Sequence, residues 1–140
     1  MTLLEKAIEI STKAHKGQKD KAGKDYINHP MAVASMVNED DEKIVAYLHD
    51  VVEDTNITLA DLKEVGFDND VIETIDAITK RDGENYDDYI YRVSHNKIAK
   101  QVKIADMTHN SDITRFDNPS QKDIERCEKY KKKLKSLSSM

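Results

Sequence analysis

Four glycines and two prolines in 140 residues leave few places where this chain can turn sharply. Sheet proteins need frequent turns, and Gly and Pro supply many of them, so the scarcity points to helices joined by short polar connections. Helix start signals recur at matching intervals. Thr2 and Glu5 have capping-box spacing, with Leu3, Leu4, Ala7, Ile8 and Ala14 following as a buried stripe. Lys16 to Asp25 reads as a polar loop, and Asn28-His29-Pro30 as an N-cap and first helical turn. Asp41 to Glu53 is the most apolar stretch and reads as a central helix. Thr58 with Asp61 opens a short helix that Gly66 closes. Val71, Ile72, Ile75 and Ile78 share a helical face, as do Ile98, Val102 and Ala105 behind an Asn96 cap. Ser120 with Asp123 begins a last, basic helix over 120–138, with Ile124, Cys127, Leu134 and Leu137 on its inner side. The expectation is an all-α fold of seven or eight helices with no strand.

The length fits one domain, 1–140, large enough to bury a core without covalent staples. A single cysteine, Cys127, excludes an internal disulfide framework and a multi-Cys zinc site. The N-terminal MTLLEKAIEI carries acids where a signal peptide has basic residues, and no apolar run approaches the ~18 residues that span a bilayer. A cytoplasmic protein with no membrane partner is the expectation. The net charge of −5 argues against a general nucleic-acid binder. Two lysine clusters run against that balance, four Lys between Lys16 and Lys24 and five between Lys129 and Lys135. Oligomeric state is not legible.

Three segments set a potential metal ligand among apolar residues: His29 in INHP, His49-Asp50 in AYLHDVVEDT, and Asp106 in VKIADMTHN. Each is weak alone. An ionisable pair inside the most apolar helix must be paired or metal-bound, because burying an uncompensated charge costs several kcal/mol. Adjacent helical residues point about 100° apart, so His49 and Asp50 reach one small site only in a grazing geometry. His29 and Asp106 are the natural further ligands from other helices. Two imidazoles and two carboxylates, with positions left for water, suit an octahedral ion such as Mn²⁺ or Fe²⁺ better than a closed structural zinc. Asp50, Glu53 and Asp54 stand at i, i+3 and i+4 on one helix face.

The order His…His-Asp…Asp resembles the HD-domain metal-dependent phosphohydrolases. More narrowly, AHKGQ…GKDYINHP, LHDVVEDT, a following ITK and KIADMTHN resemble the hydrolase domain of RelA/SpoT-type alarmone enzymes and their small stand-alone relatives, from about Ala14 to Ile113. The resemblance implies an all-helical HD bundle and a guanosine 3′,5′-bis(diphosphate) 3′-pyrophosphohydrolase-like activity on a nucleotide. It implies metal ligation by His29, His49, Asp50 and Asp106. Glu53 and Asp54 would orient or deprotonate the attacking water, and Asn110 and Tyr26 would lie against the nucleotide. Lys19, Lys21 and Lys24 are candidates to neutralise phosphate charge.

Two departures bear on recognition. The resemblance calls for Arg nine residues before His29, where this chain has Asp20, and for Arg where it has Met107. The alternatives are therefore an HD-type nucleotide phosphatase with a different substrate, or a non-catalytic metal- or nucleotide-binding module. The first reading needs Glu53 and Asp54; the last does not.

Overall fold

The computed structural model describes all 140 residues and contains eight α-helices. They are α1 (Leu3–Ala14), α2 (Asn28–Ser35), α3 (Asp40–Asp54), α4 (Leu59–Val65), α5 (Asn69–Ile78), α6 (Tyr86–Ser94), α7 (Lys97–Asn110) and α8 (Gln121–Ser138). A single 3₁₀ turn, Ile113–Arg115, joins α7 to the loop before α8. No strand forms; one isolated bridge pairs Lys19 with Asp25 across the loop after α1. No helix is long and apolar enough to cross a membrane.

Helix boundaries follow local chemistry. Thr2, Thr58 and Ser120 each accept from the backbone three residues on, and the acidic residue there reaches back to complete a capping box. Asn96 and Asp68 cap α7 and α5 through their side-chain oxygens. Gly66, at φ 117°, ends α4 in the left-handed region that a side chain would disfavour. Helix α2 departs from expectation: Asn28 is its first residue, and the preceding Ile27 offers no side-chain cap. A tight turn leads in instead, the Asn28 and His29 amides donating to Asp25 and Tyr26 carbonyls.

Helix α3 is the spine. It packs against α1, α2, α5 and α7, and Ile44, Val45, Leu48 and Val51 are buried along it. Val33, Ile75, Ile78, Val93, Val102 and Met107 complete the centre from the surrounding helices. Leu48 is fully enclosed, and its truncation to Ala costs about 2–5 kcal/mol at such sites. The stripe on α1 is narrower than its apolar residues allow. Ala7 is buried, whereas Leu3 and Ile8 remain more than a third exposed, because α1 lies at the edge and meets chiefly α3. On α8, Cys127 and Leu137 are buried and Leu134 is partly so, but Ile124 faces solvent.

Arg92 ties α6 to the end of α5. Its guanidinium donates to the carbonyls of Ala77 and Thr79 and pairs with Glu84. This satisfies carbonyls that a helix C-terminus leaves unpaired, and fixes the turn next to Glu53.

Candidate metal centre

Helices α2, α3 and α7 converge where His29, His49, Asp50 and Asp106 meet, all four buried. One ligand atom from each of His29, Asp50 and Asp106 lies within 4.8 Å of the others. His49 Nε2 stands 3.1 Å from Asp50 Oδ1 and 3.6 Å from Asp106 Oδ1. The neighbouring His49 and Asp50 therefore do reach one point, with Asp50 coming in from the side.

The outer contacts fix these groups. His49 Nδ1 lies 3.0 Å from the Ala46 carbonyl, which takes a hydrogen bond only if Nδ1 carries the proton. That leaves Nε2 a bare lone pair, buried without a hydrogen-bond partner and aimed between two carboxylates. A lone pair directed at carboxylate oxygens is repelled unless a cation or a proton sits between, so the donor set fits a divalent metal. Burial opposes a charge on His49, but Asp50 and Asp106 outweigh it and raise its pKa to about 9. The same cationic demand is thus met by a proton when no ion is bound.

His29 Nε2 lies 2.7 Å from Asp106 Oδ1, and its Nδ1 lies 2.7 Å from His109 Nδ1. Tyr26 donates its hydroxyl to Asp50 Oδ2 at 2.7 Å; burial and that carboxylate push the phenol far upward, so it remains a donor. Lys103, one turn before Asp106, donates to Asp106 Oδ2 at 3.0 Å. Burial works against both charges, yet the pair holds Lys103 well above its ordinary value and Asp106 well below. Each oxygen of Asp106 thus has its own neighbour, Lys103 on one and the imidazoles on the other.

Two clefts flank the cluster. One is open, about 560 Å³, and is lined by Glu53, Asp54, Thr79, Lys80 and Arg81. Glu53 accepts from the Lys80 backbone N–H at 3.0 Å. Desolvation first, and then the Asp50 charge, raise the carboxyls of both Glu53 and Asp54, even though both residues reach solvent. On the other side a pocket of about 290 Å³ begins at His29 and Tyr26 and takes in Lys19, Lys21 and Asn110. Lys24 does not line it and lies 3.8 Å from Asp117. Lys19 lines the pocket but pairs with Asp25.

His15 is buried at the end of α1, packed 4.7 Å from the Tyr26 ring and hydrogen-bonded to Gln18. His95 is exposed and Cys127 buried. Sequence reasoning missed Lys103, Arg115, Arg126 and Tyr130. Only Lys103 carried a signal, its i, i+3 spacing to Asp106; the other three reach the pocket by tertiary packing.

An all-helical bundle with a buried His/Asp cluster at the meeting of three helices defines a class of metal-binding helical domains. The HD domain model matches residues 7–137, and the chain belongs to the HD-domain family. It is 37% identical over 116 residues to the guanosine-3′,5′-bis(diphosphate) 3′-pyrophosphohydrolase of Haemophilus influenzae, covering 72% of this chain. It is 34% identical over 122 residues to the bifunctional (p)ppGpp synthase/hydrolase SpoT of Escherichia coli K12, and 33% over 132 to a probable GTP pyrophosphokinase of Mycobacterium leprae, covering 76% and 85% of this chain. The aligned region spans 17% of each of these relatives. A solved structure described as a metazoan ortholog of SpoT that hydrolyzes ppGpp shares the fold. It superimposes with a TM-score of 0.78 at 22% identity, covering 98% of this chain and 85% of that one.

Proposed function

We propose that this chain is a metal-dependent phosphohydrolase that releases pyrophosphate from the 3′ position of guanosine 3′,5′-bis(diphosphate) or a close nucleotide relative. The observation that carries the reading is the Nε2 of His49, buried without a hydrogen-bond partner between Asp50 and Asp106 beside His29. His29, His49, Asp50 and Asp106 are the proposed ligands, and Mn²⁺ the proposed ion. When bound, such an ion lowers the pKa of a coordinated water and polarises a phosphoryl oxygen. Relatives named for ppGpp hydrolysis share this segment's sequence, which supports the choice of substrate.

The remaining work falls to side chains. Glu53 or Asp54, each with its carboxyl raised by burial and then by Asp50, accepts the proton of the attacking water. The water oxygen bonds to phosphorus, the bond from phosphorus to the 3′ oxygen breaks, and that oxygen takes up a proton as the nucleoside 5′-diphosphate and pyrophosphate separate. Tyr26 keeps Asp50 oriented through its hydrogen bond. Asn110, Lys19 and Lys21 face the pocket where the nucleotide lies. Lys24 does not line that pocket.

A second reading, the same chemistry on a different nucleotide, is favoured by one observation: Asp20, with its side chain only 8% exposed, pairs with Arg115 instead of offering a cation from that loop. The test of the main reading is pyrophosphate release from ppGpp by the Mn²⁺-loaded protein, with Asp50→Ala as the blank. Release that depends on Asp50 is expected; release that survives Asp50→Ala overturns the site. Turnover of another nucleotide in place of ppGpp selects the second reading.

A further inference from the structure

Each of the last carbonyls of α5 carries a side-chain donor. The Thr79 hydroxyl donates back to Ile75 at 2.7 Å. Arg81 donates to the Asp76 carbonyl at 2.5 Å, Arg92 Nε to Ala77 at 3.3 Å, and the Tyr89 hydroxyl to Ile78. A helix end near the surface can leave these groups to water; this one is tied to α6 and to its own turn. Thr79, one residue past the helix, receives two guanidinium groups, Arg81 at 2.6 Å and Arg92 at 2.9 Å.

The Thr79 carbonyl belongs to the same peptide group as the Lys80 N–H, and that N–H donates to Glu53 Oε1 at 3.0 Å. It is the hydrogen bond that ties Glu53, in the last turn of α3, to the rest of the fold. Two cationic donors on the oxygen of an amide draw electron density toward it and make the N–H at its other end a stronger donor. Hydrogen bonds in series reinforce one another by roughly 10–30% each. The same contacts stop the peptide plane from turning. Arg92 is the firmer of the two donors: its side chain is 30% exposed against 44% for Arg81, and Glu84 pairs with it. Its fork spans the Ala77 and Thr79 carbonyls, with the guanidinium carbon 5.5 Å from the centre of the Tyr89 ring.

We propose that Arg92, seconded by Arg81, is a positioning residue for Glu53 and acts through the Thr79–Lys80 peptide group. The guanidinium fixes and polarises the peptide, and the peptide fixes the Glu53 carboxylate. The inference rests on the reading of Glu53 as a proton acceptor for its catalytic meaning; the chain of hydrogen bonds does not. Because Arg92 reaches Glu53 only through backbone, its loss should lower kcat and spare KM.

The test reads the Lys80 amide proton by nitrogen–proton correlation NMR on the full chain in EDTA, with no substrate present. Glu53→Ala, which removes the acceptor, marks the upfield position of the resonance once the bond is gone. Arg92→Gln should move the resonance toward that position. Tyr89→Phe is the control: it frees the Ile78 carbonyl on the same helix end and lowers Tm, yet leaves the Thr79–Lys80 peptide untouched. With ppGpp and Mn²⁺, Arg92→Gln should lower kcat about ten-fold or more while KM changes less than about two-fold; Tyr89→Phe should change neither. Arg81→Gln, at a more exposed position on the same carbonyl, covers the case in which Arg92→Gln fails to fold, and should shift the amide the same way. A resonance that these arginine variants move no further than Tyr89→Phe does overturns the proposal, and so does a shifted resonance with kcat unchanged. An amide that responds to Arg92 in a protein inert toward ppGpp would count against the hydrolytic reading alone. An active protein with an unresponsive amide would count against this proposal alone.

Discussion

His29 and His109 face each other nitrogen to nitrogen, Nδ1 to Nδ1 at 2.7 Å, with their rings stacked at 4.9 Å. Only one proton fits between the two nitrogens. Burial, Arg115 and His29 lower His109 to about 4, so it is neutral near pH 7. With a metal on Nε2, His29 carries its proton on Nδ1 and donates it to His109, which fixes the ring as a ligand's outer partner does. His109→Phe keeps the ring and deletes the acceptor. Mn²⁺ affinity should fall about 10–100-fold by calorimetry; unchanged affinity would remove His109 from the metal site.

Lys103 gives a second expectation. Its side chain is 13% exposed, 3.0 Å from Asp106 and 5.4 Å from the centre of the Tyr89 ring. Removing one member of a buried pair strands the other, at a cost of about 3–5 kcal/mol. Lys103→Met should lose about that much in urea melts with EDTA. Saturating Mn²⁺ should narrow the gap, because the ion returns positive charge to Asp106. A loss below about 1 kcal/mol in EDTA would contradict this account.

Local chemistry explains which of these features the sequence could reveal. Caps at Thr2, Thr58, Asn96 and Ser120 act within four residues, so they are legible in a string of letters. The cluster residues were legible because an ionisable His49-Asp50 pair in an apolar helix demands partners. Arg115 and Asp20 are 95 positions apart and carry no periodic signal, so their pairing emerges only from the packed fold. The same holds for Lys24, whose approach to Asp117 likewise forms only in the packed fold. The exposure of Leu3 and Ile8 depends on α1 lying at the edge, a fact of assembly that its own periodicity cannot contain.

The two carboxylates beside the cluster tie activity to stability. Burial first, and then Asp50, raise both Glu53 and Asp54. A raised value means that the folded protein holds these protons more tightly than the unfolded chain. The stability this gives is complete below the unfolded value of about 4 and is lost as pH rises through the folded value. The charged form of both groups is therefore held at some cost to the fold, a modest one because both reach solvent. Glu53→Gln and Asp54→Asn remove the charge and nearly preserve the shape, and the amide oxygen that replaces the Glu53 carboxylate can still accept from the Lys80 N–H. Turnover should fall about 100-fold or more with either change, while Tm at pH 7.5 holds or rises by about 1–3 °C. That gain should vanish near pH 4, where the native carboxyls are themselves protonated. Melts across this pH range, run beside the pyrophosphate assay, separate the outcomes: lost activity with a lowered neutral-pH Tm would make the two residues structural, not proton acceptors.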